Sequence, residues 1–550
     1  MIFAKTLKLI PSKIFFVVGI PFIIYFIHIL LFGDWIIDDA GIAFSYSRNF
    51  AQGYGLVSQP GLEPVEGFSS YTWIFLFTPF FRLNIFHPVY VPKLISILFV
   101  LLSFITLFKI IRQMSSVPII LTFICLALLS LNTSFVVWTS SGLENPLYVF
   151  LTLLLLYQLI GLGRNMKLKT AILTAICTAL LAMTRPEGIL FFFVPLIILL
   201  FDIFLRKESP QETVFNLLVY ASVFILLFGS FFLLKLNYYN DFFPNTYYSK
   251  GGPSYQDFID LVLLHPKTYS RIYELFESIF PVFGIFVLTA LLIITVYLIY
   301  LKNFTKQHFA LLLVLFFSAA IYVLLPPDWM GELRFATTFY PLLYAYLFLI
   351  SEKIIQKIEW RNSTKYLSAA LIIIFLGPSV IDFAERTNEF RKKPTVPFLM
   401  VEQKYAKTFD NYASILNIKN GSLLLPDIGG TLFYSKLRII DLGGLVDKTI
   451  AKTLLKNQKD FYDYIFETIK PTFIHTHGVW GYRADFDSDR RFRQEYVPIN
   501  EQIDTRMTKK YNGQKIYLGD YVRKDAVNAE LLQKVIQLSK NSEQLVHIQN

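Results

Sequence analysis

The chain has 550 residues, 54% of them hydrophobic, 17% aromatic and only 17% charged, with a formal net charge of +11. That composition excludes a disordered chain, a collagen-like one and an ordinary soluble domain. Much of the positive excess sits in short loops between apolar runs, where it carries orientation information and does not point to nucleic acid.

A membrane helix needs about 20 apolar residues, because the hydrocarbon core is about 30 Å thick. Runs of that kind occur near 13–33, 90–111, 117–137, 145–162, 168–184, 187–205, 214–235, 278–301, 308–325, 337–357 and 365–382. The first is too long for a signal peptide and lacks a small-residue cleavage site, so it reads as an uncleaved span. The run from Tyr71 to Phe86 is interrupted by Pro79 and Arg82 and reads as a helix lying in the interface. Cys125 and Cys177 both fall inside apolar runs, which leaves no disulfide framework or zinc spacing.

Residues 383–550 differ: they hold 26 Lys+Arg and 20 Asp+Glu. The expectation is a polytopic α-helical membrane protein of about 11 spans over 1–382, with a water-facing α/β domain over 383–550. One set of alternate loops is basic (Lys5/Lys8/Lys13, Lys109/Arg112, Arg164/Lys167/Lys169, Arg206/Lys207, Lys302/Lys306, Lys353/Lys357/Arg361/Lys365), whereas segment 34–89 has only Arg48 and Arg82. By the positive-inside rule the N-terminus is cytoplasmic, and an odd span count puts 383–550 outside. The long segments 34–89 and 236–277 then face outward; they contain aromatics, Gly and Pro, and no internal repeat is evident.

An ionisable residue at the edge of an apolar span is expensive and marks function by default. Four such clusters occur, all on the expected outer side. The first is Asp34-Trp35-Ile36-Ile37-Asp38-Asp39. Two adjacent, poorly solvated carboxylates push one pKa up, which suits a general base; they suit a divalent cation as well. The plain alternative is that both acids serve the N-terminus of the following helix. The second is Glu63-Pro64-Val65-Glu66-Gly67-Phe68-Ser69, where Glu66 is in reach of the acid pair or belongs to a simple loop with an interfacial Trp73. The third, Thr184-Arg185-Pro186-Glu187-Gly188, offers a guanidinium fork for phosphate or an Arg185–Glu187 surface pair. The fourth, Asp328-Trp329-Met330-Gly331-Glu332-Leu333-Arg334-Phe335, adds a second arginine or is an interfacial turn.

In the C-terminal part, Asp427-Ile428-Gly429-Gly430 follows the strand-like run Leu423-Leu424-Leu425, and Asp441-Leu442-Gly443-Gly444 follows another. Acids and glycines at strand ends are where α/β folds place ligand contacts. His475-Thr476-His477 ends a third strand-like run; with no third ligand in view, a structural role outweighs a metal site.

Taken together and in this order, Asp38-Asp39 with Arg48, Glu66-Gly67-Phe68-Ser69, Thr184-Arg185-Pro186-Glu187-Gly188, Asp328-Trp329 with Arg334-Phe335, and Asp441-Leu442-Gly443-Gly444 resemble the polyprenyl-phosphate-dependent glycosyltransferases of the GT-C class. The nearest likeness is to the terminal arabinofuranosyltransferase-like family. The resemblance implies a bacterial cytoplasmic-membrane enzyme. It would transfer a hexosyl or pentosyl unit, with inversion, from a polyprenyl-phosphate donor to a glycan, lipid or protein acceptor. An acid of the Asp38-Asp39 pair would be the base. Arg48, Glu66, Arg185, Glu187, Asp328, Trp329 and Arg334 are expected to meet the donor, with Arg185 and Arg334 on its phosphate by the chemistry of the guanidinium group more than by the motif. Asp427 and Asp441, by their strand-end positions, are expected to contact ligand from the C-terminal domain. No cofactor is implied with certainty, and a divalent cation stays open. Phe68 and Gly41 depart from the pattern, where relatives often have Tyr and a bulkier residue. A transporter or flippase for a polyprenyl-linked sugar is the first competing reading, although it would place charges near mid-membrane with repeats. A non-catalytic membrane assembly protein of the same fold is the second.

Overall fold

The computed structural model describes residues 14–114, 119–161, 167–206, 210–251, 254–263, 265–279, 284–300, 304–355 and 364–549. The orientation residues Lys5, Lys8, Lys13, Arg164, Lys207, Lys302, Lys357 and Arg361 lie outside them.

Among the described residues three helices are long and apolar enough to cross a membrane: Tyr90–Met114, Gln211–Tyr239 and Lys306–Leu324. Six shorter apolar helices, Phe15–Leu31, Asn145–Ile160, Leu168–Thr184, Pro186–Leu200, Gly284–Tyr300 and Phe339–Leu349, occupy six further expected positions. The expected run 117–137 is a bent pair, Ile119–Leu131 and Thr133–Ser140, meeting at 65°. The cause is Asn132, whose backbone is extended and whose side chain accepts from the Phe135 N–H, ending one helix and capping the next. The expected count of about 11 spans is thus not confirmed among the described residues. A helix packed inside the bundle need not match the bilayer thickness, and Ile124, Leu126, Leu155, Leu156, Leu342 and Leu343 are all fully buried.

The helix Thr364–Lys392 runs through the boundary expected at 382/383. The chain then returns to its own beginning. Ile37 bridges Pro397 in antiparallel fashion. The Asp38 N–H donates to the Val396 carbonyl (2.9 Å) and the Phe398 N–H to the Ile36 carbonyl (2.8 Å).

Beyond this clasp stands a five-stranded sheet: β1 (Ser422–Leu425), β2 (Arg438–Asp441), β3 (Phe473–Thr476), β4 (Tyr496–Ile503) and β5 (Tyr517–Arg523), in the order β2-β1-β3-β5-β4. The first three strands are parallel, and β5 and β4 are added antiparallel. Leu423, Leu424, Leu425, Ile439, Ile440, Phe473 and Ile474 are all buried, the continuous apolar run of strands covered on both faces. One face packs on Phe461, Phe466, Phe486 and Phe492. The other shares a core with segment 34–89, where Ile42, Tyr46, Phe68, Tyr71 and Ile74 join Tyr405, Phe409 and Leu425. The sheet domain is thus fused to segment 34–89 through apolar burial.

Candidate active site

The short helix Ala40–Ala51 begins at Asp39, yet neither acid caps it: the Asp39 side chain makes no capping bond. Asp38 reaches across the junction instead. Its two carboxylate oxygens accept from the Gly429 N–H (2.9 Å) and the Gly430 N–H (2.7 Å), which open the helix Gly429–Tyr434. The approach is close enough to require glycine. A Cβ on Gly41 would stand 2.4 Å from the Gly429 carbonyl oxygen, and one on Gly429 would stand 1.7 Å from that of Asp38. Gly41, where a bulkier residue was expected by resemblance, is therefore a docking requirement. Burial, then the negative charge of Asp427, raise Asp38 well above the usual carboxylate range, against the two N–H bonds; Asp39 adds to the rise.

Asp39 is the more open of the pair. Its side chain is 22% exposed and lies 3.4 Å from the Lys250 ammonium, itself 40% exposed. Asp427, two residues after β1, is pushed up to about 6 by burial, with Asp39 adding to the rise and His475 and Lys404 opposing it. Three carboxyl groups from opposite ends of the chain thus share one place, at the carboxyl ends of the parallel strands where α/β sheets expose ligand sites.

Behind them lies a buried ion network. The Arg185 guanidinium pairs with Glu144 (2.5 Å) and with Glu187. Arg334 sits 3.5 Å from the same Glu144 oxygen and 3.4 Å from Asp328. Phe335 lies against both guanidinium groups, at 4.9 and 5.7 Å. Two arginines thus face three acids, an arrangement in which each charge is compensated by a neighbour. The Arg334 Nε is buried without a hydrogen-bond partner, and its ion contacts are the longer ones. Glu332 and Leu333 both take left-handed backbone (φ 47° and 42°) immediately before Arg334; two consecutive non-glycine residues in that region are a strained turn. Trp329 is 59% exposed.

This network joins the acid pair through the backbone. The Ile37 N–H donates to Ser141 (3.0 Å), and the Trp73 indole donates to Gly142 (2.9 Å). Thr72 and Thr184 share a hydroxyl contact of 2.8 Å. Glu144, the acid common to both arginines, went unrecognised in the sequence; its signal was the polar break Ser140-Ser141-Gly142-Leu143-Glu144-Asn145 between two apolar runs.

Other expected site residues are committed elsewhere. Glu66 does not reach the acid pair: it accepts from Tyr71 (2.9 Å) and faces Lys235 (3.0 Å). Burial raises it to about 7 against the pull of Lys235. Lys235 was read only as the end of an apolar run. Arg48 donates to the Phe433 and Leu432 carbonyls (2.6 and 3.1 Å), holding the far end of the helix whose near end Asp38 caps. Asp441 accepts from the Gly443 and Val446 N–H groups (2.8 and 2.9 Å) and is raised to about 7 by burial. It orders the turn whose Gly444 and Leu445 carbonyls receive the Asn245 amide (2.8 and 3.0 Å). Phe68 packs edge-on against Tyr46 and Tyr71, at 4.7 and 4.8 Å. Among the described residues no group of three or more His, Cys, Asp or Glu is placed to hold a metal ion.

Comparison with known proteins adds the fold. A family model described as "Domain of unknown function (DUF8728)" matches residues 401–522. No curated protein matches the chain. Among solved structures, the oligosaccharyltransferase of Archaeoglobus fulgidus tethered with an acceptor peptide aligns at TM-score 0.54 and 10% identity, over 92% of this chain and 74% of that one. ArnT of Cupriavidus metallidurans bound to undecaprenyl phosphate aligns at TM-score 0.51 and 11% identity, over 94% and 99%. The archaeal enzyme AglB in complex with an inhibitory peptide and a dolichol-phosphate aligns at TM-score 0.51 and 10% identity, over 82% and 68%. The shared property is the GT-C type of fold: a helical bundle carrying a smaller C-terminal domain, which here contains the five-stranded sheet. The narrower likeness to terminal arabinofuranosyltransferases is not among these findings and rests on the motifs alone.

Proposed function

We propose that the protein is an integral-membrane glycosyltransferase that moves a sugar from a polyprenyl-phosphate donor to an acceptor hydroxyl at the outer face of the bacterial cytoplasmic membrane. Residues 1–382 would form the membrane part and 383–550 the extracytoplasmic part. The observation that carries the reading is Asp39: a partly exposed carboxylate beside Lys250, backed by Asp38 and Asp427, at the junction of the bundle and the sheet domain. The solved proteins of like fold are bound to a dolichol-phosphate or to undecaprenyl phosphate, and we carry that lipid class over to this chain.

In this mechanism the donor tail lies among the helices and its phosphate meets the rim. Asp39 takes the proton of the acceptor hydroxyl as its oxygen attacks the anomeric carbon. The bond to the phosphate oxygen breaks with its electron pair, so the anomeric configuration inverts. Arg334, whose contacts are long and whose Nε has no partner, and Lys250 stabilise the charge developing on the leaving phosphate. Arg185, Glu144 and Glu187 hold Arg334 in place. Asp38 keeps both oxygens on the backbone of residues 429–430 and fixes the geometry of its neighbour. Trp329 and the exposed rings of Phe242 and Phe243 offer surfaces on which a sugar ring stacks.

The test is incubation of purified protein with a panel of polyprenyl-phosphate sugars and hydroxyl acceptors, reading released polyprenyl phosphate. Release from one donor class, lost in Asp39→Asn, is the expected result. Release from none of them removes the reading. For orientation, both native cysteines are buried, so one cysteine added on the exposed surface of 383–549 should react with an impermeant thiol reagent in intact cells. Labelling only after lysis would reverse the topology.

A further inference from the structure

A second set of titratable groups runs away from the acid cluster into the sheet. His475 Nδ1 lies 2.6 Å from Asp520 Oδ1. His475 Nε2 lies 3.0 Å from His477 Nδ1. His477 Nε2 lies 3.3 Å from Asp427 Oδ2. The four side chains form a single file across β3 and β5, from the buried Asp520 to the edge of the Asp38–Asp39 site. The Tyr405 ring packs on both imidazoles, at 4.6 and 6.0 Å, and Phe409 lies 6.1 Å from His475. These two rings narrow the routes along which water could break into the file.

Proton counting constrains the file. Each of its three contacts needs one proton between its two heavy atoms; otherwise lone pairs face each other. Two neutral imidazoles supply two. The third must come from one of the two carboxyls or from an imidazolium. If Asp520 is ionised, His475 Nδ1–H donates to it, His477 Nδ1–H donates to His475 Nε2, and the remaining proton sits between Asp427 and His477. If Asp427 is ionised, every donor points the other way and Asp520 carries the proton. The two arrangements differ only by shifting protons along existing contacts.

Resting on the glycosyltransferase reading above, we infer that Asp427, His477, His475 and Asp520 form a proton relay that draws the acceptor proton away from the Asp38–Asp39 site. In the reactive step the acceptor O–H bond breaks as its oxygen bonds to the anomeric carbon. The proton enters at the Asp427 carboxyl, directly or from Asp39. The proton Asp427 shared with His477 moves onto Nε2, the His477 Nδ1 proton moves onto His475 Nε2, and the His475 Nδ1 proton moves onto Asp520. One proton enters and one appears on Asp520, while the electron pair of the broken glycosidic bond leaves with the phosphate.

The electrostatics agree with this geometry. Asp427 lies at about 6, where a carboxyl exchanges protons near neutrality. His477 is lowered to about 3 by burial, His475 and Lys404, which keeps its own imidazole neutral. The charged and titratable groups facing the file are Lys404 and Tyr405 from residues 402–407, and Asp38 and Asp39 from across the junction. The His475 and Asp520 roles are positional, since neither touches the reacting atoms.

The experiment uses full-length protein in lipid vesicles, comparing wild type, Asp520→Asn, Asp520→Glu and His475→Gln. Released polyprenyl phosphate is measured across pH, alongside histidine ¹⁵N spectra. The expected result is a fall in kcat of about tenfold or more in Asp520→Asn and His475→Gln, with donor KM nearly unchanged and the acid limb of the pH–rate profile displaced. Asp520→Glu should recover part of the rate. The His477 ring nitrogens should change protonation pattern in Asp520→Asn, although His475 stands between the two residues. Unchanged kcat and pH profile in both variants of an active enzyme overturn the relay, as does a His477 signal blind to Asp520. A wild-type protein inert toward every donor, with His477 still responding to Asp520, counts against the glycosyltransferase reading and for the coupled file.

Discussion

Two clusters of charge lie a few residues apart in this fold and are built on opposite plans. Around Arg185, five side chains, three buried and two partly buried, alternate in sign, and each meets an opposite charge at 3.5 Å or less. Around Asp39, three carboxyl groups gather with one partly exposed lysine at 3.4 Å, and burial lifts Asp38 and Asp427 out of the usual carboxylate range. The first cluster is a compensated frame, where charge is held by charge. In the second the cations, Lys250 at 3.4 Å and Lys404 opposing the rise at Asp427, do not offset burial, so a proton or a substrate has something to gain by arriving. A buried network of ions is therefore weak evidence of catalysis, and an uncompensated one at an accessible rim is stronger evidence.

The contrast is broken most directly at Asp39. Asp39→Asn should lower kcat by about 10² to 10⁴-fold, the range of general acid–base catalysis, with the melting temperature nearly unchanged. Full activity would move the base elsewhere, and a collapse in stability would put Asp39 in the frame. Arg185→Ala should do the reverse, costing about 3–5 kcal/mol because the buried Glu144 keeps only its longer contact to Arg334 and Glu187 is left without its arginine; unfolding in detergent reads this directly. Arg334→Ala should sit between the two, raising the donor KM about tenfold, the effect of losing one charge-assisted contact worth roughly 1.5 kcal/mol, with the acceptor KM unaffected. Equal effects on both substrates would remove Arg334 from the phosphate.

The smallest effect is on stability against pH. Asp427 is raised above its unfolded value, so the folded state binds its proton more tightly. The corresponding stabilisation is present below about pH 4 and is lost as pH rises through about 6. The melting temperature should fall by a few degrees across that window, and Asp427→Asn should flatten the slope. An unchanged slope would mean the carboxyl is better solvated than its burial implies.

Much of this arrangement was legible in the chain. The run 90–111 is the helix Tyr90–Met114, and Leu423–Leu425 and Phe473–Thr476 are buried parallel strands, because long apolar runs and strand-like runs ending in polar residues have direct local causes. What could not be read depends on partners far along the chain. Asp38 reads as a member of a catalytic or cation-binding acid pair or as a cap for its own helix, and it instead accepts from the start of a helix 391 residues away. Arg185 was paired in prospect with Glu187 alone, because the other partner, Glu144, is 41 residues distant. Glu66 was aimed at the acid pair, but Lys235 is what burial brought to it. The expected count of about 11 spans is not confirmed among the described residues, and Asn132 supplies a break that apolarity does not announce.

The clasp between residues 35–38 and 395–398 has a consequence for biosynthesis. The acid pair leaves the ribosome among the first residues made, but its clamp, Gly429 and Gly430, comes nearly four hundred codons later. A nascent chain therefore carries an unfinished centre throughout most of translation, and a stop codon anywhere upstream of Gly430 leaves the contact of Asp38 with residues 429–430 incomplete. The arrangement is completed only in polypeptides whose C-terminal part has folded back onto the start.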